Sequence, residues 1–256
     1  MPPPQIRPVE PRELCDIGKE WDQLAELRYE QISSGRDYSY SHILEPTIVK
    51  LVTGQSGSSA IDVGCGVGIL TEELTKLRSR VVGIDVSEYS ISRARHHNQL
   101  GDIGDFVVAS VEDYAARTVE KFDTVIANMM LMSSPNLKST VHAMDSLMSS
   151  NGHLIITLTH PWFWPKYWGY DKAPWFFYED EIFMEAPFAI TADGPTPFAI
   201  THIHRSLEQY VSCFIETGLS LTCLIEPSAP ADAPFEYRGN WRFPRFLAIT
   251  CRKGLR

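Results

Sequence analysis

The sequence lacks any run of about 18 apolar residues, the minimum expected for a helix that crosses a bilayer. Its first eleven residues, Met1 to Pro11, are proline-rich and polar, without the apolar stretch of a secretory leader. No membrane partner and a cytoplasmic location are therefore expected. Cysteine is sparse: Cys15, Cys65, Cys213, Cys223 and Cys251 are odd in number, widely scattered and never in C-x-x-C spacing. That pattern offers neither a zinc site nor a redox pair, and it fits reduced thiols. Basic residues are also in deficit, 23 Lys and Arg against 32 Asp and Glu, for a net charge of −9. A general nucleic-acid binder needs the opposite balance, because phosphate contacts draw on an excess of Lys and Arg. Internal repeats are absent.

What remains is an ordinary globular composition. Hydrophobic residues make up 44% and charged residues 21% of the 256, enough for a real core and a length suited to one large domain with an insert. Residues 1–10 read as a flexible arm. The spacing of Leu14, Ile17, Trp21 and Leu24 predicts a helix from Pro11 to about Ser33, and a second short helix runs from Ile43 to Val52. Residues 1–44 are assigned to this N-terminal arm and helix, and residues 45–256 to the main domain.

From Ala60 onward, short apolar runs alternate with helical patterns. Strands are predicted at Ala60–Val63, Val81–Ile84, Phe106–Ala109, Phe122–Ala127 and Gly152–Leu158. Helices are predicted at Gly68–Leu77, from Ser87 as a cap to about Gln99, and from about Asn136 to Met148. Such runs mark parallel strands buried on both faces. Alternation stops at about residue 161 and resumes after 201 with a helix, Ser206–Thr217, and strands at Leu219–Ile225 and Phe246–Cys251. The interruption opens with ten aromatic residues between Trp162 and Tyr178. It reads as a lid or substrate insert, 161–201.

The segment Asp62-Val63-Gly64-Cys65-Gly66-Val67-Gly68 joins the first strand to the first helix. Glycines there let the chain turn sharply and approach a ligand, and the helix that follows points free N–H groups at it. Asp85 closes the second strand about 20 residues later, where an acid accepts both ribose hydroxyls of an adenosine. A nicotinamide dinucleotide enzyme is the competing reading. Its fingerprint is G-x-G-x-x-G, but here the third glycine falls one residue early, and Asp62 would repel a pyrophosphate and favour a cation such as an ammonium.

These residues resemble motif I of the class I S-adenosylmethionine-dependent methyltransferases. Val82-Gly83-Ile84-Asp85-Val86-Ser87 is similar to their ribose-binding strand end, and Phe122 through Met132 to the fourth-strand motif of the methyltransferase type 11 group. The resemblance covers roughly residues 45–160. It implies a Rossmann-like, doubly wound α/β sheet of seven strands, order 3-2-1-4-5-7-6 with the last strand antiparallel, and S-adenosylmethionine as cofactor. It implies cofactor contacts from Asp62, Gly64, Cys65, Gly66, Gly68, Asp85 and Val86. Ser110 and Val111 stand where the family often has an acid for the adenine amino group.

Methyl transfer from a sulfonium needs alignment more than covalent help, and a base only if the acceptor arrives protonated. Asn128, past the fourth strand, is a candidate for the methionine part of the cofactor or for the acceptor. His160, past the fifth, and His204 are the catalytic candidates; His202 and His204 share a face in extended chain. No metal site is expected. Arg205, in a segment similar to the entry of the last helix in type 11 relatives, joins Trp164, Tyr170 and Trp175 as a substrate-binding candidate. The acids Glu179, Asp180 and Glu181 beside these rings tilt the expected acceptor toward an amine, within a small-molecule N- or O-methyl transfer. A homodimer is the candidate assembly. A cofactor-binding scaffold without catalysis is the second alternative. The lack of an Asn/Asp-Pro-Pro-Tyr motif argues against methylation of base amino groups.

Overall fold

A computed structural model describes residues 5–98, 100–239 and 241–254. In chain order the elements are β1 (Arg7–Pro8), α1 (Leu14–Asp22), α2 (Ala25–Ser33), α3 (Glu45–Thr53), β2 (Ser59–Val63), α4 (Ile69–Thr75) and β3 (Arg80–Asp85). There follow α5 (Glu88–His97), β4 (Gly104–Val108), α6 (Val111–Arg117), β5 (Phe122–Asn128), α7 (Leu137–Leu147) and β6 (Met148–Thr159). The last third holds α8 (Trp164–Trp168), β7 (Ile182–Ile190), β8 (Gly194–His204), α9 (Leu207–Glu216), β9 (Leu219–Ile225), α10 (Phe235–Arg238) and β10 (Phe246–Lys253).

The main sheet has seven strands in the order β4-β3-β2-β5-β6-β10-β9. Numbered within that sheet this is 3-2-1-4-5-7-6, with β10 antiparallel to both β6 and β9, as the resemblance implies. Ala60, Ile61, Val81, Val82, Val125, Ile126, Leu154 and Ile155 are all fully buried, because helices cover both faces. Ser87 Oγ accepts the Ser90 amide and caps α5, and Asn136 caps α7 in the same way.

Several local expectations change. Residues 1–4 of the expected arm lie outside the described residues, as does Gln99 at the predicted end of α5. Arg7–Pro8 is not loose: it pairs antiparallel with β7, and Arg7 binds Glu185 through Nε at 3.1 Å and Nη2 at 2.8 Å. The helix predicted over 11–33 breaks at Gln23–Leu24 into α1 and α2. The insert contains α8 and a long β7–β8 hairpin, which with β1 forms a second, three-stranded sheet. α1 docks on that sheet through Glu20, which accepts the Thr201 amide at 2.6 Å. Among the described residues no helix is long and apolar enough to cross a membrane.

Candidate cofactor and acceptor cavity

A cavity of about 400 Å³ opens at the carboxyl ends of β2, β3, β5 and β6, the edge where doubly wound sheets take ligands. The volume falls in the range of small-molecule sites. Its floor is the loop after β2. Gly64 has φ +73° and faces Met130 so closely that an added Cβ would lie 2.7 Å from the Met130 Cβ. Gly66, at φ +54°, has open space where a Cβ would stand, so its backbone is what a ligand meets.

Asp85 is tied to that loop. Its Oδ2 accepts the Gly66 amide at 2.8 Å and its Oδ1 accepts the Ser87 amide at 2.8 Å. Burial pushes the carboxyl up, and these two N–H bonds oppose it. Each oxygen keeps a further lone pair for a hydroxyl donor. Asp62 is 1% exposed. Thr71 Oγ1 donates to its Oδ2 at 2.8 Å, whereas its Oδ1 is buried without a hydrogen-bond partner. Burial pushes this carboxyl up to about 7. An orphaned, buried carboxylate oxygen on the wall of a cavity fits a cationic guest such as an ammonium.

Of the residues singled out for the cofactor, Asp62, Gly64, Cys65, Gly66, Asp85, Val86, Ser110, Val111 and Asn128 line this cavity. Gly68 does not; it turns the chain against the Phe106 ring, 2.6 Å from where its Cβ would be. Ser110 caps α6, its Oγ accepting the Asp113 amide at 3.0 Å. Asn128 Oδ1 accepts from Thr157 Oγ1 at 2.6 Å.

The candidates for the chemistry and the acceptor are redistributed. His160 lies off the cavity: its Nε2 meets Glu226 at 2.9 Å and its Nδ1 accepts the Trp162 amide. His204 also lies off it, bonded at 3.0 Å to the Tyr178 carbonyl and packed on Phe176. Arg205, 2% exposed, is a structural clamp. It binds Glu181 and donates to the carbonyls of Leu131 at 3.0 Å and Ser134 at 2.8 Å, so it fastens the end of the insert to the chain after β5. Tyr170 stacks on Trp175, and both meet Phe176 edge to face, as an aromatic cluster of the insert itself. Of the four substrate-binding candidates only Trp164 reaches the main cavity, next to Tyr167 and Trp168. Tyr170, His204 and Arg205 meet instead at a separate void of about 10 Å³.

Sequence reasoning missed four cavity residues. His202 lines the wall, and burial, with the positive neighbourhood of His204 and Arg205, pushes its imidazole down to about 3. Tyr40 has a buried hydroxyl with no partner. Arg28 pairs with Asp37 at 2.9 Å, and Arg245 stands beside Tyr167 and Tyr237. The spacing of Leu14, Ile17, Trp21 and Leu24 predicts a helix, but nothing in it signals that Ile17, Trp21 and Arg28 face the cavity.

A family model described as a methyltransferase domain matches residues 55–168. That segment resembles a methyltransferase domain, and the seven-strand order around it is that of the class I methyltransferase fold. The segment carries β2 through β6, the glycine loop and Asp85. The ubiquinone biosynthesis O-methyltransferase of Xanthomonas euvesicatoria pv. vesicatoria is 34% identical over 120 residues, 45% of this chain and 50% of that protein. The mitochondrial protein of that name from Bos taurus is 34% identical over 106 residues, 40% of this chain and 29% of that one. The chain thus spans about half or less of the length of these curated relatives. Among solved structures, the DhpI–SAM–HEP complex superposes with a TM-score of 0.64 at 18% identity, covering 95% of this chain and 100% of that one. An S-adenosylmethionine-dependent methyltransferase of Clostridium acetobutylicum does so at 0.59 and 14%, covering 92% and 99%. At these identities the structural matches speak for the fold.

The expected tilt toward an amine finds no support in the comparisons or in the cavity. The curated relatives are named for oxygen acceptors. The acidic run Glu179–Glu181 also lies outside the cavity lining, and Glu181 is engaged by Arg205.

Proposed function

We propose that this protein transfers the methyl group of S-adenosylmethionine to an oxygen of a small aromatic acceptor. The single observation that carries the reading is one continuous cavity. It has the Gly64–Gly66 loop, Asp62 and Asp85 at one end and Trp164 and Tyr167 at the other. Cofactor and acceptor would then share one space.

In this reading Asp85 accepts the ribose hydroxyls, and Asp62 Oδ1 accepts the ammonium of the methionine part. Val86 and Val111 flank the adenine. The bound cofactor supplies a methyl group already activated on a sulfonium. The chain's task is then to hold an acceptor oxygen in line with it and to exclude water. The β7–β8 hairpin, α8, α1 and α2 form the lid that does so. His202 is held neutral, and its ring nitrogen accepts a hydrogen bond that orients the acceptor hydroxyl; the proton released as that oxygen gains its methyl passes to solvent. The aromatic wall supports a flat acceptor ring by stacking.

The experiment is methyl transfer from labelled S-adenosylmethionine to separate pools of phenols and of amines. Label in the phenol pool is expected. Label confined to amines, or none in either pool, overturns the reading.

A further inference from the structure

Arg245 immediately precedes β10, and its carbonyl accepts the His160 amide at 2.8 Å. This fixes it at the carboxyl end of β6, on the acceptor side of the cavity. Its guanidinium carbon sits 4.4 Å from the centre of the Tyr167 ring and 4.2 Å from that of Tyr237. One nitrogen donates to the Tyr237 carbonyl, and another reaches Thr191 Oγ1 at 3.4 Å. The residue is only 9% exposed. No carboxylate among the described residues forms an ion pair with it.

That is an unusual state for a guanidinium. Buried charges are normally paired, because leaving water costs them far more than an aromatic face returns. Arg28, the other arginine on the cavity wall, obeys the rule through Asp37 and Gln31. Arg245 does not, and it has donors left over in a fork that matches a carboxylate. The remaining charges of the cavity, Asp62, Asp85 and Glu112, are acidic. The cavity is therefore polarised, with acids along the cofactor end and one uncompensated cation at the acceptor end.

We propose that the acceptor carries a carboxylate, which Arg245 binds as its missing counter-ion. This rests on the methyltransferase reading above and narrows its acceptor class. A monoanion fits better than a dianion, since one guanidinium among rings balances one charge and would leave a second buried and unpaired. Bound in this way, the carboxylate end is held against Tyr167 and Tyr237, and the opposite end of the acceptor is turned toward the cofactor.

The test is equilibrium binding to protein saturated with S-adenosylhomocysteine. The probes are para-hydroxybenzoate and its neutral amide, para-hydroxybenzamide, near neutral pH. The acid is expected to bind about tenfold tighter or more. That advantage should vanish in Arg245→Gln and survive in part in Arg245→Lys, with S-adenosylhomocysteine affinity unchanged in both. Equal binding of acid and amide to the wild type, binding of neither, or an advantage that persists in Arg245→Gln overturns the proposal. The wild-type comparison decides the matter even if Arg245→Gln does not fold. Failure of S-adenosylhomocysteine itself to bind is a different result, and it overturns the methyltransferase reading along with this one.

Discussion

The amide of Gly66 donates to Oδ2 of Asp85 at 2.8 Å. The ribose candidate therefore also holds the glycine loop in shape. Asp85→Ala should consequently cost more than a lost ribose contact, which alone is about ten- to a hundredfold in affinity. We expect a loss at or beyond the upper end for S-adenosylmethionine, and a milder one for Asp85→Asn, which keeps one acceptor oxygen. Calorimetric titration of folded variants checks this. Equal affinities in wild type and Asp85→Ala would remove Asp85 from the site.

Asp62 links binding to pH. Burial raises its folded-state value to about 7, above the unfolded one, so ionising it destabilises the free protein. This group's stability contribution is greatest at low pH and is lost as the pH rises toward 7. Asp62→Asn should therefore raise the melting temperature of the free protein above neutral pH and change it little in acid. The same substitution should weaken S-adenosylmethionine binding by about tenfold or more, since it removes the ammonium's counter-charge. In the wild type, binding should release a proton near neutral pH and weaken as the pH falls below 7. Titration in two buffers of different ionisation enthalpy measures that proton, and a pH-independent affinity would contradict the assignment.

The aromatic segment after β6 divides in two. Trp164 lines the main cavity, whereas Trp175 packs on Tyr170 and Phe176. Trp164→Ala should reduce acceptor turnover about tenfold or more and leave cofactor affinity intact. Trp175→Ala should cost about 3–5 kcal/mol of stability at most, the range for a large ring removed from a core, with turnover per folded molecule preserved. Denaturant melts and steady-state kinetics on both variants separate the roles. Equal turnover in the two variants would contradict the division.

Much of this was legible before the structure because the main sheet is written in short apolar runs such as Ala60–Val63 and Val125–Ala127, which only a strand buried on both faces requires. The glycine loop was legible because its neighbours Asp62 and Asp85 are charged and flank the loop at fixed spacing. The β7–β8 hairpin was not. Pro187, Pro195 and Pro197 interrupt its alternation, and the pairing slips between Pro187 and Ala189. α6 is too short to show a period, being visible only as Ser110 capping Asp113. The histidines show where parity fails. His202 and His204 share a strand face, but two residues span roughly 7 Å. That separates the cavity wall from the strand's end, where His204 meets the Tyr178 carbonyl. Arg205 carries a charge that reads as a ligand contact, yet it is consumed by Glu181 and two carbonyls.

His202 should act as a neutral acceptor. Burial holds its imidazole at about 3, so it is unprotonated throughout the working range. His202→Asn, which displaces that hydrogen-bond acceptor, should lower kcat by about tenfold with S-adenosylmethionine affinity unchanged. The wild-type pH–rate profile should lack a limb near about 6.5, the value of an unperturbed histidine. A limb there that disappears in His202→Asn would contradict the depressed value.

The most direct test of the central claim is a calorimetric competition between S-adenosylmethionine, S-adenosylhomocysteine and NAD on the wild-type protein and Asp85→Ala. Both sulfur nucleosides should bind the wild type with one site per chain, NAD should not compete, and Asp85→Ala should bind both at least about a hundredfold more weakly. Tight binding of NAD with no binding of either sulfur nucleoside would contradict the claim.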